Sequence, residues 1–239
     1  MRNAVLLLSS GLDSAANLAL AADFQVKLAL TIDYGQKGAV REFEHAASLA
    51  RHFGVEHQTF ELRGFLSLTG GRSALMGGQQ IPAPESLLEL DDLKAATRTA
   101  AAVWVPNRNG VMLSIAAALA ESRDFDAVAV GFNAEEAVTF PDNTQAYMDS
   151  MSASFAYSTA NKVKVVSATA SLTKSEIVAR LANRDFPFAS LWSCYRGEAR
   201  HCGRCESCQR LRRAFDTSLT GSEHGRAVAA LFGENEAQR

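Results

Sequence analysis

A short polar segment between two apolar runs contains the first residues that could do chemistry. It reads Ser9-Ser10-Gly11-Leu12-Asp13-Ser14, after an apolar run at residues 4–8 and before an alanine- and leucine-rich run at residues 15–22. A buried strand followed by a helix would bring backbone N–H groups, a positive helix end and serine hydroxyls together at this turn. The predicted phosphate site comprises Leu8, Ser9, Ser10, Gly11, Leu12, Asp13 and Ser14.

The acid inside this turn predicts a metal ion. The carboxylate of Asp13 would repel phosphate oxygens unless a cation lay between them, so we expect it to organise Mg²⁺. Two common nucleotide loops are excluded, because the segment lacks the lysine of G-x-x-x-x-G-K-S/T and two glycines of G-x-G-x-x-G. The alternative interpretation is an ordinary serine-capped helix after a strand.

A second polar turn follows the β-type run at residues 25–32. The carboxyl ends of parallel strands meet at one edge of a sheet, so this turn should face the first one. We therefore predict nucleotide contacts from Asp33, Tyr34, Gly35 and Gln36.

Two cations are candidate catalytic residues together with Asp13. Arg108 lies in a Pro- and Asn-rich turn before an apolar helix, where it could clamp a phosphate or carboxylate or simply be solvated. Lys174 follows Thr173 in a capping-box pattern that opens a helix. A cation in the first turn opposes the helix dipole, so we expect Lys174 to meet a bound anion.

A loop at residues 132–142 follows a short buried strand and mixes acids with two aromatic rings. At the carboxyl end of a parallel strand, this composition is suited to stacking a flat heterocycle and accepting from its N–H groups. A helix is expected to begin after a cap near Asp142.

The four cysteines form one cluster, Cys194, Cys202, Cys205 and Cys208. Four thiolates with the spacing C-x7-C-x2-C-x2-C indicate a closed tetrahedral structural zinc site. An iron–sulfur cluster and unligated thiols are the alternatives. His201 would be a fifth ligand, one more than a tetrahedral site holds, so we expect it to lie beside the site or at the surface. The basic cluster Arg196, Arg200, Arg204, Arg210, Arg212 and Arg213 could meet ATP phosphates, RNA or an acidic partner, or be solvated.

Composition and element order indicate the fold class. The chain has 239 residues, a hydrophobic fraction of 47% and a net charge of −2, which argues against a surface wholly devoted to nucleic acid. Alternating strands and helices predict an α/β fold with a doubly wound, mainly parallel sheet. Residues 64–105 are predicted to be an excursion that closes over the site, or else a disordered surface insertion. No long uncharged apolar run or signal peptide is evident, so we expect a cytoplasmic protein that does not enter a membrane.

The segments in this order resemble the PP-loop ATP pyrophosphatases and, within them, the 7-cyano-7-deazaguanine synthase family. The quoted segments that match are the Ser9–Ser14 loop, Asp33-Tyr34-Gly35-Gln36, Val105-Pro106-Asn107-Arg108-Asn109, Asn133, Pro141-Asp142, Thr173-Lys174 and the four cysteines. The resemblance implies an adenine nucleotide alpha hydrolase-like domain at residues 1–190. A C-terminal zinc knuckle and helical segment would follow at residues 191–239.

The resemblance also implies the reaction. ATP would activate 7-carboxy-7-deazaguanine, ammonia would give an amide, and a second activation would give the nitrile. It implies substrate contacts from Asn133, Phe140, Pro141 and Asp142, the cofactors ATP, Mg²⁺ and Zn²⁺, and a homodimer that requires no nucleic acid.

The sequence departs from the family pattern in two places. Ser10 stands where a glycine is usual. If the backbone needs a positive φ at this residue, serine there costs about 1 kcal/mol of strain. Thr139-Phe140-Pro141-Asp142-Asn143 replaces Gly-Tyr-Pro-Asp-Cys, so a paralogue that activates or attaches a related deazapurine is an alternative. Two further alternatives are a tRNA-thiolating PP-loop enzyme and a non-enzymatic nucleotide-binding module.

Overall fold

A five-stranded parallel sheet forms the centre of the molecule. The computed structural model describes residues 1–84 and 86–233. The strand order is β3-β2-β1-β4-β5, and every pair is parallel. The strands are β1 (Arg2–Leu7), β2 (Phe24–Asp33), β3 (Glu56–Glu61), β4 (Ala127–Ala129) and β5 (Lys164–Val166). The predicted α/β class is therefore confirmed.

Helices cover both faces of the sheet. In chain order they are α1 (Leu12–Leu20), α2 (Ala39–His52), α3 (Phe65–Leu68), α4 (Leu93–Val103), α5 (Arg108–Ser122), α6 (Gln145–Ser158), α7 (Lys174–Ala182), α8 (Glu206–Ser218) and α9 (Gly221–Phe232). Alternate residues of β1 point to opposite faces, because side chains along a strand alternate. Leu6 packs with α1, α2, α7 and α8, whereas Val5 packs with α5 and α6.

The site region lies where the strand order reverses. The chain winds from β1 outward to β3 and then returns to place β4 on the other side of β1. In open parallel sheets, ligands bind beyond the carboxyl ends of the strands at such a reversal. The β1–α1 turn, residues 8–11, occupies this place.

The excursion at residues 64–105 is ordered against the site in the part that the structure describes. Phe65, Leu75, Met76 and Val103 form a small apolar core with Tyr34 of the second predicted nucleotide turn. Leu75 and Val103 line the cavity described below. The interpretation of these residues as a cover for the site is therefore favoured over a surface insertion.

The C-terminal segment shares the main core with the preceding chain. Leu211 and Phe215 of α8 are buried with Leu6, Leu49 and other residues of the first predicted unit. The boundary at residue 190 stays a prediction, and residues 234–239 of the second predicted unit lie outside the described residues.

Helix α6 begins close to the predicted cap. Residues Pro141–Asn143 form a 3-10 turn, and Thr144 is the N-cap, whose hydroxyl accepts from the N–H of Tyr147 at 3.2 Å. The predicted cap near Asp142 is therefore confirmed, with the turn Pro141–Asn143 placing the cap itself at Thr144. The capping box at Thr173 and Glu176 is present as predicted.

Candidate functional site

A cavity of about 260 Å³ lies at the carboxyl ends of β1, β2 and β4. Its walls come from the β1–α1 turn, the β2–α2 turn, α5, the loop after β4 and residues 192–195. The predicted residues that line it are Leu8, Ser9, Gly11, Leu12, Asp13, Ser14, Tyr34, Gln36, Arg108, Phe140 and Lys174. The fold therefore brings most of the predicted nucleotide and catalytic residues together.

The β1–α1 turn has the features of an anion cradle. Gly11 is the N-cap of α1 and provides no side-chain cap for the first N–H groups of the helix. A Cβ at Gly11 would lie 3.5 Å from the Ser9 Oγ and 4.0 Å from the Ser193 Oγ, so the missing side chain leaves open space there. The hydroxyls of Ser9 and Ser14 are 3.2 Å apart beside this space. This arrangement fits phosphate oxygens.

The backbone strain in this turn falls on Ser10. Its φ is 61°, in the left-handed region that favours glycine, whereas Gly11 has an ordinary φ of −64°. Ser10 is fully buried, and its carbonyl accepts from the N–H of Trp192 at 2.9 Å. The position that departs from the family pattern thus does require a positive φ.

We expect Ser10→Gly to be more stable than Ser10→Ala by about 1 kcal/mol, because both lose the hydroxyl and only alanine keeps the strained Cβ. Urea unfolding of the two variants measures this difference. The same pair of substitutions at Ser9, which is exposed and has no positive φ, serves as the control. Equal stability of the two Ser10 variants would contradict the expectation.

Asp13, Lys174 and Glu136 form a buried charge cluster. The Lys174 Nζ donates to the Asp13 Oδ2 and lies 2.9 Å from the Glu136 Oε1. The expected anion beside Lys174 is therefore found within the protein itself, as two carboxylates. Burial works against the charge of Lys174, but these carboxylates outweigh it and raise its pKa.

The second carboxylate oxygen of Asp13 is available for a ligand. Burial raises the pKa of Asp13 to about 6, although Lys174 lowers it. The Oδ1 is buried and accepts no hydrogen bond from the described residues. A buried oxygen without a partner is costly, so this atom fits a metal ion.

Arg108 and Tyr34 form another part of the cavity wall. The Arg108 Nη1 donates to the Tyr34 hydroxyl at 3.2 Å, and the guanidinium lies 5.6 Å from the centroid of the Tyr34 ring. Burial works against the charge of Arg108, but Tyr34 and Asp142 outweigh it and raise its pKa. Arg108 is therefore a cation held in the cavity wall, and the alternative of a freely solvated side chain is disfavoured.

The predicted substrate residues divide into two groups. Phe140 lines the cavity, and its ring stacks on Trp104 at 6.3 Å between centroids and 8° between planes. Asn133 is fully buried outside the lining, where its Oδ1 accepts from the N–H of Glu136 at 2.9 Å. Asp142 and Pro141 also lie outside the lining. Their substrate roles stay predictions.

The second nucleotide turn is arranged by Gln36. Its Oε1 accepts from the N–H of Tyr34 at 2.9 Å, and its Nε2 donates to the Glu42 Oε2 at 2.9 Å. Asp33 bonds the N–H of Gly35 and lies outside the lining. The sequence analysis did not identify Glu42, which lines the cavity one turn into α2.

The four cysteines lie together near the cavity. Their Sγ atoms are within 4.8 Å of one another, and those of Cys202 and Cys208 are 3.9 Å apart. The N–H groups of Arg196 and Cys202 point at the Cys194 Sγ at 3.5 and 3.4 Å, as expected for thiolates. A single ion with metal–sulfur distances of about 2.3 Å fits sulfurs at this spacing.

The cysteine cluster is connected directly to the β1–α1 turn. Trp192 donates its N–H to Ser10 and its Nε1 to the Cys194 carbonyl, at 2.9 and 3.0 Å. The His201 Nε2 accepts from the N–H of Ser193 at 3.0 Å, and its ring lies 4.6 Å from Trp192. His201 is thus buried beside the cluster. Trp192, Ser193 and Tyr195 line the cavity without having been assigned a role, because nothing local indicates this contact.

The arginine cluster is largely engaged within the protein. Arg210 pairs with Glu206 at 2.8 Å and Glu135 at 3.5 Å, and Arg213 pairs with Asp91 at 2.7 Å. These pairs join α8 to the loop after β4 and to the excursion. For these two residues, the interpretation as a solvated or RNA-binding surface is therefore not supported.

No helix in residues 1–84 and 86–233 is both long and apolar enough to cross a membrane.

Comparison with known proteins identifies the family. The model of "Queuosine biosynthesis protein QueC" matches residues 3–219. A "7-cyano-7-deazaguanine synthase" of Desulforamulus reducens is 51% identical over 215 residues, covering 89% of this chain and 93% of the relative. One of Methanosarcina barkeri is 46% identical over 215 residues, with the same two coverages, 89% and 93%.

A more distant match is the solved U34-tRNA thiolase NcsA of Methanococcus maripaludis with its iron–sulfur cluster. Its TM-score is 0.44 at 14% identity, covering 100% of this chain and 75% of that one. A likeness at that distance carries no argument about the metal of this chain. The family match spans most of the chain and agrees with relatives at about half identity, so the chain belongs to the queuosine biosynthesis protein QueC family.

Proposed function

We propose that this protein converts 7-carboxy-7-deazaguanine and ammonia into 7-cyano-7-deazaguanine, with release of AMP and pyrophosphate from ATP. The observation that carries the proposal is the cavity in which an uncapped helix start faces the Asp13–Lys174 pair and Arg108. The family and the names of its relatives support the same reaction.

The phosphates of ATP bind at the β1–α1 turn. The first N–H groups of α1 and the hydroxyls of Ser9 and Ser14 donate to them. Lys174 also lines the cavity, held between Asp13 and Glu136. The charge that develops on the departing pyrophosphate is thereby met by donors already in place, which lowers the barrier.

The carboxylate substrate needs activation because oxide is a poor leaving group. A carboxylate oxygen attacks the α-phosphorus, pyrophosphate leaves, and ammonia displaces AMP to give the amide. A second ATP then transfers AMP to the amide oxygen, and AMP leaves with that oxygen while the nitrogen loses its two protons and the nitrile forms. Arg108 is suited to orient the carboxylate, since its cationic head is fixed by Tyr34. The flat base lies against Phe140, whose ring is braced by Trp104.

Two metal ions belong to this proposal. The Asp13 Oδ1 would hold Mg²⁺, which offsets the phosphate charge when it is bound. The four thiolates would hold Zn²⁺ in a closed structural site, since sulfurs within 4.8 Å of one another suit a single ion better than a cluster of several irons. From the family resemblance, we further expect a cytoplasmic homodimer that needs no nucleic acid.

Product analysis tests the reaction. With Mg²⁺, ATP, ammonium and 7-carboxy-7-deazaguanine labelled with oxygen-18 in its carboxylate, we expect the 7-amide to accumulate before the 7-cyano product. The label should appear in AMP, because a carboxylate oxygen remains on the phosphorus. Unlabelled carboxylate is the control. ADP with labelled inorganic phosphate would contradict the adenylylation step, and AMP without nitrile would indicate the paralogous activity.

A further inference from the structure

A hydrogen-bond network connects Arg108 to the turn that follows Phe140. The Arg108 Nε donates to the Asn109 Oδ1 at 3.3 Å, and the Asn109 Nδ2 donates to the Asp142 carbonyl at 3.5 Å. The Asn143 Nδ2 donates to the Asp142 Oδ1 at 3.1 Å, and its backbone N–H donates to the Phe140 carbonyl at 3.0 Å. The network therefore holds Arg108 and Asn143 in the same part of the cavity wall, next to the ring proposed to stack on the base.

The partners in this network fix the orientation of both asparagine amides. A guanidinium only donates, so the oxygen of Asn109 must face Arg108 and its nitrogen must face the Asp142 carbonyl. An ionised carboxylate only accepts, so the nitrogen of Asn143 must face Asp142. Turning either amide over would set an acceptor against an acceptor. The oxygen of Asn143 is therefore the atom left for a further partner.

Two polar atoms of the network have no partner among the described residues. Arg108 uses its Nε and Nη1 on Asn109 and Tyr34, which leaves its Nη2. Asn143 uses its Nδ2 on Asp142, which leaves its Oδ1. Both residues line the cavity, and neither atom is among the fully buried polar atoms that lack a partner, so both atoms are open to the cavity. The wall thus presents a donor and an acceptor.

A donor beside an acceptor complements a primary amide better than a carboxylate. A carboxylate offers only acceptors, so one of its oxygens would face the lone pairs of Asn143. A primary amide has an oxygen for Arg108 and an N–H for Asn143. Because Asn143 is only 7% exposed, little water competes for its oxygen, and the difference between the two ligands should be large enough to measure.

We propose that Asn143 recognises the 7-amide intermediate, accepting a hydrogen bond from its nitrogen while the Arg108 Nη2 donates to its oxygen. The charge of Arg108 still attracts the carboxylate for the first step, so Asn143 shifts the preference toward the amide without excluding the acid. The inference rests on the proposed function, in which the amide oxygen receives AMP from a second ATP.

Asn143 stands where the family pattern has a cysteine. Sulfur is a weak acceptor, so a cysteine at this position would discriminate less between the acid and the amide. We therefore expect this chain to favour the amide more strongly than the same chain with cysteine at position 143.

Two substitutions at this position should change the preference in opposite directions. Asn143→Cys removes the strong acceptor and should lower kcat/KM for added 7-amide about tenfold, with kcat/KM for 7-carboxy-7-deazaguanine kept within about twofold. Asn143→Asp keeps an acceptor and adds a charge that repels the carboxylate, so kcat/KM for the acid should fall about tenfold and that for the amide should stay within about threefold. Asn183→Cys, at an exposed asparagine after α7, is the matched control and should keep both wild-type values.

Steady-state AMP release with each substrate supplied separately, at saturating ATP and ammonium, gives the two kcat/KM values, and thermal unfolding checks the fold. The time course from the acid gives a second measure. Free 7-amide competes with the acid for the enzyme, so its transient peak should be higher in Asn143→Cys and lower in Asn143→Asp than in wild type.

An unchanged ratio of the two kcat/KM values in Asn143→Cys would overturn the proposal. An equal loss with both substrates would also overturn it, because it would give Asn143 a structural role only. A folded Asn143→Asp protein that favours the acid would contradict the acceptor role, and if this variant does not fold, Asn143→Cys decides alone. If wild-type protein releases no AMP with the acid, the proposed function fails. If it converts acid and amide but neither variant changes their ratio, only the role of Asn143 fails.

Discussion

Asp13→Asn is expected to lower turnover by about 10³-fold with little loss of folding. The Asp13 Oδ1 is buried without a partner among the described residues, so the folded chain places an acceptor where only a ligand can use it. Asparagine keeps the shape of the side chain but removes the negative charge that pairs with Lys174 and would hold Mg²⁺. Steady-state release of AMP measures the effect, and thermal unfolding checks the fold.

Asp23→Asn is the matched control, since Asp23 is exposed just before β2, at the opposite end of the sheet from the cavity. Wild-type turnover should also fall as pH drops through about 6, because Asp13 then takes up a proton and loses its charge. An Asp13→Asn enzyme with turnover within about threefold of wild type would show that this carboxylate does not act in catalysis.

Removal of the metal from the cysteine cluster is expected to lower the melting temperature by about 10–20 °C, since such sites contribute several kcal/mol to folding. Cys205 is the N-cap of α8 and Cys208 lies in its first turn, while Leu211 and Phe215 of the same helix pack in the main core. Loss of the ion should therefore loosen α8 and expose residues 191–233 to protease.

Removal of the metal should also affect the β1–α1 turn. Trp192 joins Ser10 to the Cys194 carbonyl, so the affinity for ATP should fall together with the protection of α8. Elemental analysis should find one zinc per chain, and Zn²⁺ but not Mg²⁺ should restore the melting temperature after chelation. Iron with labile sulfide, or a Cys205→Ser protein of native stability, would contradict a structural zinc.

Several features of the site followed from short stretches of sequence. The strand-to-helix turn at residues 8–14 and the four cysteines were predicted in place, because their spacing lies within one loop or one helical turn. The strain at Ser10 was also foreseeable, since one residue type at one position of the turn decides it. These features need little knowledge of the rest of the molecule.

Two interpretations changed when distant segments came together. Lys174 was expected to face a bound anion, but its ammonium group pairs with Asp13 and Glu136. Arg210 and Arg213 were interpreted as a surface that is solvated or meets phosphates, RNA or a partner, but Glu135 and Asp91 pair with them. Charge alone does not reveal its partner when the two lie far apart in sequence.

By itself, the sequence determined the alternation of strands and helices, the parallel sheet that follows from it, the polar turn between β1 and α1 and the cysteine cluster. Local spacing and hydrophobic periodicity are enough for these, because covalent geometry limits how nearby residues can lie. Only the tertiary structure decided that Gly38 lies beside the Cys194 carbonyl and that Trp192 supports Ser10. Such contacts join residues that are more than 150 positions apart in the sequence. They depend on strand register and helix packing, which no local pattern specifies.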